Sequence, residues 1–336
     1  MKRNSKKIMC LGLVATMLCS LVACTGADTK QNVSQSSSSE SVEKTSGFPF
    51  TLTTDGDTQV TFTHVPERVI SANVNAGEEL MALGLGDKII ATSCNNEKVA
   101  PEYQKEYESK QSLTEDGQPS LEVVLALNPD FIYGRSSAFG KKGIASHDTL
   151  TQNNIMSLSS IESYKMGADI EDVYQDFYNL GKIFGVEDKA EKIVNDMKSK
   201  LSSVEEKLKD VKPVKVFDFD MQVEGGAYTC GNNFASNLIA HAGGVNVFKD
   251  LEQTWNTVSW EAVVEANPDV IIINDYGDTP LEEKIQQLKS NPALSGLKAV
   301  KEEKFVAITL PEMFASSRAV DTIEKLAKEF HPEIFK

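Results

Sequence analysis

Cysteine is scarce in this chain. Of five in 336 residues, only Cys94 and Cys230 lie beyond residue 24. A disulfide framework is therefore excluded, and a bridge between these two would have to tie distant halves of the chain together. Positive charge is also short. The formal net charge is −15, and removing the four basic residues of the first 24 leaves about −19, which argues against nucleic acid as a partner. Beyond residue 24 the only arginines are Arg68, Arg135 and Arg318. Histidine is limited to His64, His147, His241 and His331, too scattered for a zinc ligand cluster, so no metal site is expected. No H-E-x-x-H, C-x-x-C, G-x-S-x-G or P-loop occurs, and the chain is not expected to be an enzyme. After residue 24 no run is apolar enough to span a bilayer.

What the chain does have is one stretch written twice. Residues 120–132 and 259–271 both read S-x-E-x-V-x-x-x-N-P-D-x-I, without a gap. The serine reads as a helix N-cap, and the acid two residues on suits the positive end of the helix dipole. The valines and leucines give a short apolar face. Asn-Pro ends the helix, since proline cannot continue it and disfavours the α region for its predecessor. Phe131 to Tyr133 and Val270 to Ile273 then read as buried strands. Helix, sharp turn and buried strand make half of a parallel α/β layer. Copies this far apart are not neighbouring solenoid repeats and predict the same joint in two similar lobes.

The chain opens with Lys2, Arg3, Lys6 and Lys7, then a mostly apolar run from Ile8 to Val22, which reads as a secretory signal. Leu21-Val22-Ala23-Cys24 resembles a bacterial lipobox, which would make Cys24 an acylated mature N-terminus; the alternative is an ordinary cleaved signal with an incidental cysteine. Residues 25–47 are rich in Ser, Gln, Thr and Gly and read as a flexible tether. The expected division is signal 1–24, tether 25–47, first lobe 48–167, linking helices 168–211 and second lobe 212–336. Such a chain would sit on the outer face of a cell membrane, held by its lipid.

Within the lobes, alternation predicts a hairpin over Phe50 to Thr54 and Gln59 to Thr63, then a strand over Val69 to Ser71 and another over Lys88 to Thr92. Glu78 to Leu83 reads as a helix closed by Gly84. A helical segment around Lys142 to Leu150 and a strand over Ile155 to Leu158 complete the first lobe. Ala168 to Phe184 and Asp188 to Lys209 read as helices. The second is the clearest in the chain, with Ala190, Ile193, Val194, Met197, Leu201, Val204 and Leu208 in one stripe. Val214 to Phe219 is the expected first strand of the second lobe. Phe234 to Ala242, Leu281 to Lys289 and Ala319 to Phe330 read as its helices, and Phe305 to Ile308 as a strand. The fold class is α/β: two similar lobes with central sheets, one long helix joining them, and a ligand cleft between.

Several motifs carry a family resemblance. They are Pro66-Glu67-Arg68-Val69-Ile70, the Ala-Leu-Gly-Leu-Gly ending at Gly86, the N-P-D joint twice, Gly243-Gly244-Val245-Asn246-Val247-Phe248, and Phe330-His331-Pro332-Glu333. In this order they resemble the substrate-binding lipoproteins of ABC importers for ferric siderophores, haem and cobalamin, over about residues 65–335. The resemblance implies a monomeric, non-catalytic binding protein with a small opening motion, working with a permease and its ATPase. It has no intrinsic cofactor and carries its metal chelate as cargo. It also implies an acidic permease-docking residue on each lobe. Glu78 falls at the first position, or is an ordinary solvated helix residue. At the second stands Asn237, so Glu224, Asp250 or Glu252 would have to substitute.

In open parallel sheets, ligands bind beyond the carboxyl ends of the strands. That rule selects Asn95, Arg135, Ser136, Asp275, Tyr276, Met313, Phe314 and Arg318, with Trp255 and Tyr228 as further stacking candidates. Arg135 and Arg318 follow strand ends in different lobes and would be the contacts for an anionic ligand; alternatively each braces a loop against a nearby acid. An iron–siderophore complex is the first reading of the cargo, haem or cobalamin the second, and a non-transport surface lipoprotein or enzyme on the same scaffold the third. His147 is either a haem-iron ligand paired with a tyrosine or a solvated helix residue.

Overall fold

The computed structural model describes residues 47–336. The expected signal, Cys24 and the tether up to residue 46 lie outside the described residues. Strands β1 (Phe50–Thr54) and β2 (Thr58–Phe62) form the expected antiparallel hairpin around Asp55-Gly56-Asp57. The first lobe continues as β3 (Val69–Ser71), α1 (Val74–Ala82), β4 (Ile89–Thr92), α2 (Pro101–Glu108), β5 (Gln111–Ser112), α3 (Leu121–Ala126), β6 (Phe131–Gly134), α4 (His147–Gln152) and β7 (Met156–Ser159). Its five strands form one parallel sheet, ordered β5-β4-β3-β6-β7.

Two helices link the lobes, α5 (Ile170–Phe184) and α6 (Glu187–Leu208). Asp169 and Asp172 form a capping box at the start of α5, and Gly185 ends it with φ 66°. Helix α6 has 22 residues, about 33 Å of chain. Ala190, Val194, Met197, Leu201, Val204 and Leu208 are all buried, which is the stripe its spacing predicts.

The second lobe runs β8 (Val214–Phe219), β9 (Met221–Val223), β10 (Gly226–Cys230), α7 (Phe234–His241), β11 (Gly244–Asn246), β12 (Trp255–Ser259), α8 (Trp260–Ala266), β13 (Val270–Asp275), α9 (Leu281–Ser290), α10 (Lys298–Lys301), β14 (Phe305–Thr309) and α11 (Ala319–Phe330). Its parallel sheet is ordered β11-β8-β13-β14, the same plan as β4-β3-β6-β7. A smaller antiparallel sheet, β12-β10-β9, is added to it.

One hydrophobic core runs through both lobes. Phe131 and Tyr133 of β6, Ile272 of β13, Val306 and Ile308 of β14 and the inner faces of α5, α6, α7 and α11 all belong to it. Strand alternation turns Ile132 and Ile271 to the opposite faces of their sheets. There Ile132 shares a cluster with Val124, and Ile271 one with Val263. The shared Val and Ile of the repeat are thus the helix-on-sheet contact of each joint. Ser120 Oγ accepts from Val123 N, and Ser259 Oγ from Ala262 N, as expected of N-caps. One detail differs. Asn128 and Asn267 do not take the extended conformation expected before proline; both have φ of 48°. Asparagine tolerates this left-handed region, and the turn is sharper for it. Among the described residues no helix is long and apolar enough to cross a membrane.

Candidate ligand-binding cleft

The parallel strands of both sheets end facing the gap between the lobes. A cavity of about 190 Å³ occupies it. Arg135 and Tyr164 line it from the first lobe, and Phe234, Trp255 and Phe314 from the second. Arg135 follows β6, and its guanidinium lies 3.9 Å from the centre of the Phe314 ring, a cation–π contact between lobes. Its Nη1 donates to Glu162, whose side chain is almost wholly buried. Burial pushes the Glu162 carboxyl up, and Arg135 opposes that shift. Trp255 on β12 stacks on Tyr228 of β10 with ring centres 6.0 Å apart, so two of the expected aromatics form one panel.

Beside this cavity the lobes are bolted together. Arg318, at the start of α11, donates through Nε to Glu78 Oε2 at 2.7 Å and through Nη2 to Glu78 Oε1. The same Nη2 donates to the carbonyl of Lys98 at 2.9 Å. Glu78 Oε1 also accepts from the Ala100 N–H at 2.7 Å. Lys98 in turn pairs with Asp275 at 2.6 Å, and Asn75 Nδ2 donates to the Pro311 carbonyl at 3.0 Å.

Glu78 is thus fully buried. It is neither a solvated helix residue nor an acid displayed for a permease, because its carboxylate is consumed by an arginine of the other lobe. Arg318 stands at the cleft as expected, but as Glu78's partner. Asn237 likewise turns inward and donates to the carbonyl of Ala168 at 2.8 Å. Glu224, Asp250 and Glu252 are exposed.

A family model described as periplasmic binding protein matches residues 69–310, most of the chain. The chain belongs to the periplasmic binding protein family. An uncharacterized ABC transporter substrate-binding lipoprotein, YvrC of Bacillus subtilis, is 25% identical over 97% of this chain and 98% of its own. A vitamin B12-binding protein of Vibrio parahaemolyticus is 26% identical over 62% of this chain and 71% of its own. Among solved structures, a periplasmic binding protein from Veillonella parvula superposes with a TM-score of 0.78 at 32% identity, covering 84% of this chain and 97% of the other. An Fe3+-hydroxamate transport protein from Saccharomonospora viridis shares the fold, with a TM-score of 0.72 at 24% identity and coverage of 84% and 99%.

In this periplasmic binding protein several expected contacts serve the frame. Ser136 is tied to Ser163 twice, N–H to Oγ at 2.8 Å and Oγ to the carbonyl at 3.0 Å. Asn95 bonds Thr92, Ser112 and Tyr107. Tyr276 donates to Asp220 at 2.8 Å, beneath the Lys284 ammonium. Met313 is fully buried in the core behind Phe314. His147 is also misjudged by the sequence: it is buried in the first lobe, with its nitrogens on Ser157 at 2.7 Å and Asp55 at 3.0 Å, and cannot offer one to a haem iron. Cys94 and Cys230 are unpaired.

Other residues of the site went unnamed in the sequence reading. Glu162, Tyr164 and Phe234 line the cavity, and Glu97 approaches it. Glu162 lies three residues past the end of β7, so the strand-end rule reaches it once that strand is included. Behind the wall, Asp218 and Asp220 lie two apart at the end of β8. Burial and the neighbouring Asp220 push Asp218 up to about 7.

Proposed function

We propose that this periplasmic binding protein is the substrate-binding component of an ABC importer, lipid-anchored through Cys24 on the outer face of the membrane. Its cargo is a metal chelate of the corrinoid class, delivered to a permease and its ATPase. The reading requires affinity and a small lobe movement, and no catalysis.

The observation that carries the cargo choice is charge compensation. Arg135 and Arg318 are the two arginines of the cleft, and each already faces a buried carboxylate. An anionic ligand would have to compete with Glu162 and Glu78 for them. What the walls offer freely is aromatic surface, from Tyr164, Phe234, Trp255 and Phe314. Flat apolar surface with uncharged polar groups suits a corrin, which brings its own metal ligands. The vitamin B12-binding relative from Vibrio parahaemolyticus supports the same choice. The leader and lipobox-like Cys24, together with the naming of the Bacillus subtilis relative as a lipoprotein, support the anchored location.

A ferric siderophore is the second reading. One observation favours it: Arg135 gives Glu162 only its Nη1, and the guanidinium lines the cavity. Titration of cyanocobalamin, ferrioxamine B and haemin into the protein, followed by tryptophan fluorescence and thermal shift, separates the readings. We expect cyanocobalamin to bind with micromolar or tighter affinity. Binding of ferrioxamine B alone would replace the corrinoid reading with the siderophore one, and silence from all three would end both.

A further inference from the structure

The largest cavity among the described residues, about 570 Å³, is not the gap between the lobes. It lies within the first lobe, between the ends of β4 and β5 and helix α2. The loop 95–98 separates it from the cleft, and the Lys98 carbonyl on that loop accepts from Arg318. The cavity therefore shares a wall with the bolted side of the cleft.

Nearly every polar side chain around it is already matched. Asn95 bonds three neighbours, Ser112 donates to Glu115, Gln104 to Glu108, Lys110 to the Gly86 carbonyl, and Lys98 pairs with Asp275. Glu97 is the exception. Its Oε2 is buried without any hydrogen-bond partner among the described residues. A buried acceptor left unmatched costs about 1–3 kcal/mol, and more when charged. Burial pushes Glu97 up to about 7, while Arg135 and Arg318 pull the other way. Neither arginine reaches it with a hydrogen bond, because Glu162 and Glu78 hold them.

We propose that this cavity is a subsite of the ligand cleft, and that Glu97 receives there an N–H donor of the cargo, an amide or an ammonium. The inference rests on the binding-protein reading above and deepens it, by assigning the cargo a donor-bearing periphery. A corrinoid supplies such groups as side-chain amides, and a hydroxamate chelate can supply a terminal ammonium. A cargo whose periphery is carboxylate would meet Glu97 with like charge.

The test uses the full chain and two pairs of probes. Cyanocobalamin is compared with dicyanocobyrinic acid, whose amides are carboxylic acids, and ferrioxamine B with its N-acetylated form, which lacks the ammonium. Affinities are measured by titration calorimetry for wild type, Glu97→Gln and Glu97→Ala. In wild type the donor-bearing member of a pair should bind at least about tenfold more tightly, the scale of one hydrogen bond to a charged group. Both substitutions should reduce that ratio to about threefold or less, with thermal stability unchanged or raised because Glu97 has no protein partner to lose. The pair that responds identifies the source of the donor. If a probe binds wild type but the ratio survives both substitutions, the subsite is wrong and the importer reading stands. If no probe binds wild type, the importer cargo reading falls and the subsite with it.

Discussion

In the first lobe the Asp130 carboxylate accepts from the backbone N–H groups of Glu67 and Arg68, both at 2.8 Å. In the second, Asp269 accepts from the N–H of Lys215 at 3.0 Å. Arg68 returns Nε to the carbonyl of Asn128 and Nη2 to that of Leu127, while Lys215 gives its ammonium to the carbonyl of Ala266. Each joint therefore fastens the entry of the lobe's central strand to the end of a helix, and a basic side chain closes the clasp over otherwise unpaired helix carbonyls. The clasp is doubled in the first lobe, where a forked guanidinium does the closing, and single in the second. The letters shared by the two copies are those that build the clasp. The residues after the strands differ, and these face the cleft: Arg135 from one, Asp275 and Tyr276 from the other. Duplication preserved the hinge of each lobe and left its business end free to diverge.

The largest effects should come from the two arginines at those divergent ends, because their pairs differ in what they join. Arg318 and Glu78 come from different lobes; Arg135 and Glu162 belong to the same one. Arg318→Ala leaves the fully buried Glu78 with only the Ala100 N–H. Breaking a buried pair in this way costs about 3–5 kcal/mol, and here it also frees one lobe from the other. Chemical denaturation should show a loss of about 3 kcal/mol, and small-angle scattering a larger radius of gyration. Arg135→Ala should cost less and leave the scattering curve unchanged. If the double variant Glu78→Gln, Arg318→Met recovers most of the stability but keeps the larger radius, the pair is a bolt between lobes. Equal radii in all variants would remove that role from Arg318.

The joints should rank next. Asp130→Ala removes two hydrogen bonds to a carboxylate and Asp269→Ala one, so losses of about 2 and about 1 kcal/mol are expected. Proteolysis under native conditions should report the difference as faster cutting in the first lobe for Asp130→Ala. Equal losses would mean that the number of N–H groups held does not set the strength of the clasp.

The comparison also marks what a single sequence discloses. Strand Val214–Phe219 and helix Ala319–Phe330 lie where their periodicity puts them, because one or two buried faces write a regular pattern. Helix α2 left no such mark: only Tyr107 is buried among its eight residues. Its one signal was Pro101 at the first turn, a favoured helix start. The small sheet β12-β10-β9 was equally silent, since Met221 and Gln222 are exposed and give β9 no alternation. At the site, the strand-end rule put Arg135, Phe314 and Arg318 in the right place and left their partners open. Glu162 is 27 positions from Arg135, and Glu78 is 240 from Arg318. Nothing local specifies such pairings, and they decide whether the cleft presents bare positive charge. Glu78 illustrates the cost: its position on α1 suggested display, and only the approach of α11 shows it to be enclosed.

The smallest expected effect separates the lobes by pH. Each lobe's first helix is tied to the linking pair. Lys189 of α6 donates to the carbonyl of Leu83 at the end of α1, at 3.2 Å. At the end of α7, His241 reaches Asp169 and Glu205, both at 2.8 Å. The hydrogen bond to Asp169, helped by the charges of both acids, raises His241 from 6.5 to about 9 against the opposing effect of burial. A pKa raised on folding gives stability that is fully present below the unfolded value and fades as pH rises through the folded one. The window is therefore about pH 6.5 to 9. His241 is partly open to water, which screens the pair and holds the contribution to about 1 kcal/mol. Wild type should lose that amount across the window relative to His241→Gln, measured by denaturation at a series of pH values. Hydrogen exchange should place the loosening at α7 while α1 stays protected. Equal loosening of both helices, or the same pH slope in His241→Gln, would show that the tie at α7 does not depend on the charge of His241.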